Sequence, residues 1–250
     1  MNKLKYGIYG KELFNSEIYL PIKKYLLNYQ EEKKEIADLS LKAFREFFSR
    51  LHDRLIRLIE IEIELVNYAD RQSNKTTAKP LAQIQMDFVD KTEAFHQQIY
   101  STLSSFVKLL SVITPHGFIM QKHIKSNQNF IKYIRELIKF NDILPVEKSL
   151  IYRGTYIDHT SQIRHFDWMT FFWGEMGYVI YYEPDENGCC EEISTYIDMG
   201  KMKIPISINL PVKVKNFLVT PNHLLVYIAF YEFIIELLRY LRINNNIKTS

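Results

Sequence analysis

Two long runs without a helix breaker constrain this chain more than anything else in it. Between Glu31 and Tyr68 there is neither glycine nor proline. Ile36, Leu39, Ala43, Phe44, Phe47, Leu51, Leu55, Leu58 and Ile59 recur there every three or four residues, with charges between them. That period is one face of an α-helix. Ile59 to Leu65 alternates apolar and acidic residues as a half-buried strand would, but nothing interrupts the chain, so the helix is expected to continue. Glu60, Glu62 and Glu64 then fall on a solvated surface. Asp70 to Pro80 is polar and closes on a proline, which reads as a loop. A second run follows from Leu81 to about Ile113, on Ile84, Phe88, Phe95, Ile99, Leu103, Phe106 and Leu110, before Pro115 and Gly117. Long helices joined by a short loop lie antiparallel.

Residues 1–30 mix Gly7, Gly10 and Pro21 with five tyrosines, predicting an irregular lead-in with one helical turn around Leu13 to Leu20. Ser126 suits the N-cap of a third helix, Asn127 to Phe140, and Pro145 opens a fourth. The composition changes after Thr170. Tyr178 to Glu183 and Glu192 to Asp198 are β-prone and flank Asn187-Gly188, a hairpin signal. Met202 to Leu210 adds a third strand that Pro205 confines to an edge. Thr220-Pro221 starts a last helix to Leu241. The expected fold is mainly α, an antiparallel helical bundle with a small β-hairpin excursion near the C-terminal third. It forms a single domain over 1–250, with 174–210 as the insertion.

Several function classes lack their signatures. Thirty-two basic against 29 acidic residues leave a net charge of +3, too slight to argue for nucleic acid by itself. No Gly-rich phosphate loop occurs, nor HExxH, GxSxG or a tight histidine pair, so no cofactor and no metal are expected. The cysteines, Cys189 and Cys190, are adjacent and suit a reduced, cytoplasmic protein. The N-terminal residues carry no signal-peptide run. Leu224 to Leu241 is nearly apolar enough to span a bilayer, but Glu232, Glu236 and Arg239 form one helical stripe, which favours an amphipathic buried helix and no membrane partner. His52, His96, His116, His123 and His223 are scattered and read as surface or satisfied polar positions.

The chemistry concentrates between Leu150 and Trp173. Arg153, Asp158, His159, Arg164, His165 and Asp167 lie there among aromatic residues. Arg153 and His159 form an Arg-x5-His pair. In this motif and in its helical frame the chain resembles the HEPN family. The resemblance implies a metal-independent RNase, in some cases a toxin or defence effector, acting as a homodimer on RNA, with an antitoxin or other protein partner. Its histidine would be the general acid/base, and its arginine would stabilise the scissile phosphate. Tyr156 would line the site and Asp158 would orient His159, with Arg164 and His165 in support. On a continuous helix the two motif residues stand about 120° apart, so convergence needs the helix to end before His159. Gly154 stands where active members carry a polar residue. The alternative is a non-catalytic helical interaction or scaffold protein, in which Arg153 and Asp158 pair at a helix end that His159 caps. Phe166, Trp168, Phe171, Phe172, Trp173, Tyr178, Tyr181 and Tyr182 read as core or oligomer interface more than as a base-stacking platform.

Overall fold

The two breaker-free runs become the two longest helices of the molecule. The computed structural model describes residues 10–28, 31–71, 81–114, 127–154, 167–173, 176–184, 191–198, 203–210, 214–217, 223–241 and 243. Helix α1 is built from Lys11–Phe14, a π-helical turn Asn15–Tyr19, and Leu20–Leu27. Helices α2 (Glu31–Arg71) and α3 (Leu81–Ile113) follow, then α4 (Asn127–Ile138), α5 (Leu144–Tyr152) and α6 (His223–Tyr240). The described part is mainly α.

The seam of α2 is narrower than its apolar surface. Ala37, Leu41, Phe44, Phe48, Leu51, Leu55 and Leu58 are buried, spaced alternately by four and three. Ile36 and Leu39, expected in the core, are more than half exposed. After its charged first turn α2 carries apolar residues on more than one face, and only the heptad-like stripe faces the bundle. The helix does run through Ile59 to Leu65: Ile59 and Ile61 are buried while Ile63 lies 43% exposed. Gln98 Nε2 on α3 donates to the Phe47 carbonyl at 3.1 Å, and Thr102 Oγ1 stands 3.2 Å from the same oxygen. Rings of Phe44 and Phe106 meet at 5.0 Å. Arg50 to Arg57 of α2 share a groove with Lys91 and Ala94 of α3, so α3 descends as α2 rises.

The lead-in is more regular than its sequence suggested. Pro21 has no N–H to give to the preceding turn. The hydrogen bonding loosens into the π-helical turn just ahead of it, and the helix continues to Leu27. Phe14, Ile18, Ile22 and Leu26 are buried at four-residue spacing, with Phe14 stacked on Phe48 at 4.1 Å. Helix α4 ends at Lys139, whose φ of 54° is left-handed. A 3-10 turn, Asn141–Ile143, leads into α5, with Pro145 in its first turn as expected. Helix α6 is buried nearly all round and touches α1, α2, α4 and α5. Among the described residues no helix is long and apolar enough to cross a membrane.

The β part is larger than one hairpin and is paired differently. Strands β1 (Asp167–Trp173), β2 (Met176–Pro184) and β5 (Val214–Phe217) form one antiparallel sheet in the order β1-β2-β5. Strands β3 (Glu191–Asp198) and β4 (Lys203–Leu210) form another. The strands flanking Asn187-Gly188 therefore belong to two different sheets and do not pair as the expected hairpin; Asn187 and Gly188 themselves lie outside the described residues. Pro205 sits opposite Tyr196 in a two-stranded sheet, which makes its strand an edge. The register sets Trp168 across from Tyr181 and Phe171 across from Tyr178. Strands β1 and β2 pass beside α2.

Candidate functional site

The motif arginine is held on a seam between α3 and α5. Helix α5 closes at Tyr152, and Arg153 and Gly154 continue in π-helical winding. Arg153 Nε donates to Gln97 Oε1 at 2.9 Å. Its guanidinium carbon lies 3.8 Å from the centre of the Tyr100 ring. Both partners come from α3, where Gln97 and Tyr100 share one face at a spacing of three. The guanidinium thus joins two helices through a planar contact and a directed donor, as lysine could not. A Cβ added at Gly154 would meet nothing within 4 Å. A polar residue fits there, and packing does not explain the glycine. Tyr156, Asp158, His159, Arg164 and His165 lie outside the described residues, as do Cys189 and Cys190. The expected pairing of Arg153 with Asp158 cannot be placed, but its partners on α3 can.

One turn deeper on the same seam is a polar cluster that no local motif announced. His96 Nδ1 and Ser149 Oγ share a hydrogen bond of 2.7 Å, both side chains having 0% exposure. Ser149 and Arg153 are one helical turn apart, as are His96 and Tyr100, so the two contacts are successive rungs between α3 and α5. His223, the first residue of α6, brings its ring to 5.6 Å from His96. Phe95 meets the His223 ring edge-on at 5.3 Å. Thr92 Oγ1 is buried nearby on α3 with no hydrogen-bond partner among the described residues. Burial, and then the neighbouring His223, hold the His96 imidazole well below its ordinary range, so it is neutral. A serine hydroxyl against a neutral imidazole is the geometry of an activated nucleophile. No substrate reaches it here, because the core closes over both groups, and the pair acts as a hydrogen-bonded pin in an apolar interior. Of the two readings open for these histidines, surface or satisfied polar, His96 is the second, and neither it nor His223 lies at the surface. Their coming together depends on the crossing of three helices, which spacing in the chain does not encode.

A second feature opens to solvent on the α2–α3 face. Arg50, Asp53, Arg54 and Arg57 of α2, with Lys91 and Ala94 of α3, line a groove of about 270 Å³. Arg54 is partly buried, and burial, then Arg57 and Arg50, lower its pKa. The spacing Arg-x3-Arg-x2-Arg was visible in the sequence as a one-sided stripe. It was obscured by the even overall balance of charge. On the other side of α2, His52 Nδ1 shares a 3.2 Å hydrogen bond with the Tyr227 hydroxyl of α6. Among the described residues no group of three or more histidine, cysteine or acidic side chains could hold a metal ion. Comparison of the chain with protein-family models, with curated proteins and with solved structures finds no match.

Proposed function

We propose that this chain is a non-catalytic helical interaction protein, in which Arg153 is an architectural residue. The observation that supports this reading is the engagement of its guanidinium by the Tyr100 ring and Gln97 Oε1. A phosphate-binding arginine presents its guanidinium to a ligand; here Nε and the guanidinium face are engaged by a neighbouring helix. Exposed apolar side chains on α1 and α2 offer a surface for a protein partner. Leu20 and Leu27 project along one stripe of α1, and Ile36 and Leu39 along one stripe of α2, each more than half exposed. The partner is a second copy or another protein.

The competing proposal is metal-independent RNA cleavage by Arg153 and His159 across a homodimer, which requires guanidinium N–H groups of Arg153 to be turned to a phosphate. Incubation of a mixed labelled RNA pool in EDTA with the wild type and with His159→Ala separates the two. The interaction reading expects no cutting by the wild type and a lower melting temperature for Arg153→Ala. Cutting that persists in EDTA and disappears in a His159→Ala chain of unchanged stability would replace it with the nuclease.

A further inference from the structure

Among the described residues, the groove on the α2–α3 face sets four cations against one carboxylate. Arg54, Arg57 and Lys91 make no ion pair among the described residues. Arg50 has a distant partner in Glu46, at 3.8 Å. The groove's carboxylate, Asp53, is already engaged by Lys11 Nζ at 2.8 Å. Like charges three and four residues apart on a helix repel, so this stripe works against the stability of α2. Both helices are rigid at this level, with Leu51, Leu55 and Phe95 packed behind them in the core. Three arginines are therefore rooted along about 10 Å of helix axis, with a lysine on the second wall.

We propose that this groove binds a compact polyphosphate, two or three linked phosphates that Arg50, Arg54 and Arg57 grip from one wall and Lys91 from the other. Planar guanidinium forks match phosphate oxygens in pairs, and a concave site lined by one sign of charge raises the local concentration of an anion. The volume, near the lower end of small-molecule pockets, suits a di- or triphosphate group. Among the described residues no aromatic ring lines the groove, so recognition rests on the phosphates and lacks the stacking platform that a single-stranded nucleic acid uses. Partial burial of Arg54, already unfavourable to its charge, gives it the most to gain from an anion. This inference is independent of the role of Arg153.

Calorimetric titration of the full chain with inorganic triphosphate, ATP, sulfate and a short oligouridylate tests it. Triphosphate is expected to bind and sulfate to compete poorly at equal concentration. Arg54→Ala/Arg57→Ala should weaken triphosphate binding at least about tenfold without lowering the melting temperature, since repulsion is relieved. Lys91→Gln, a single change on the other wall, should weaken it in the same direction. Equal affinity for triphosphate and ATP assigns recognition to the phosphates alone, and tighter ATP binding assigns it to a nucleotide-borne chain; both support the proposal. It is overturned if triphosphate and ATP both fail to bind, if sulfate displaces triphosphate as effectively as triphosphate itself, if the variants bind unchanged, or if only the oligouridylate binds.

Discussion

Replacing Arg153 by alanine removes the Tyr100 ring contact and the Gln97 hydrogen bond together. The expected loss is about 2 kcal/mol, or roughly 4–8 °C in Tm for a chain of this size, read by thermal unfolding. Arg153→Lys should recover little of it, because the ammonium keeps the charge without the planar fork. Gly154→Asn, one residue on, should change stability by no more than about 0.5 kcal/mol, since the added side chain enters open space. His96 makes stability depend on pH. The folded chain keeps this imidazole neutral, while the unfolded chain protonates it below about pH 6.5. The unfolded state then binds the additional proton, so stability is constant above that pH and falls as pH drops below it, by up to about 1.4 kcal/mol per unit. Urea unfolding at a series of pH values should show this slope in the wild type and a shallower one in His96→Gln. Among the described residues His52 adds to this slope, its pKa being lowered in the same way by burial and then by Lys11.

At the scale of elements, α1 is held chiefly by its ring stack. Phe14 lies against Phe48 at 4.1 Å and edge-on to Phe44 at 5.6 Å, and further along the helix Glu17 accepts a hydrogen bond from Tyr231. Phe14→Ala should cost about 3–5 kcal/mol, and limited proteolysis should then cut α1 from the bundle before any other helix. The long helices were legible because their apolar period and their breakers agree: α3 begins at Leu81 and ends at Ile113, as its flanking residues dictate. Helix α1 was not legible, because Pro21 argues for a stop, and the π-helical turn that absorbs it leaves no mark in residue type. The strand pairing failed for a different reason. Asn187-Gly188 is a local signal only; which strands unite is decided by tertiary pairing, and β2 finds β1 while β3 finds β4. The same limit hid the seam. Arg153 could be picked from its motif, whereas Gln97, Tyr100, His96 and Ser149 acquire their roles only where α3 crosses α5.

For the molecule as a whole, α6 is the helix that reaches most of the others: it packs on α1, α2, α4 and α5, and its first residue meets α3. Val226, Tyr227, Phe230, Tyr231, Phe233, Ile234, Leu237 and Leu238 are all buried in it, against four other helices. A chain truncated before His223 should keep much of its helical far-ultraviolet signal but lose its cooperative unfolding transition and near-ultraviolet bands, the signature of secondary structure without fixed packing. Those partners lie in the first 152 residues, and the strands intervene before α6. On the ribosome, at about 5–20 residues per second, the apolar faces of α1 to α5 therefore stand uncovered on the order of ten seconds before the helix that closes over them is made. The order of the elements along the chain thus builds a delay into every copy synthesised, during which the nascent bundle is a substrate for chaperones and at its most prone to associate with its neighbours.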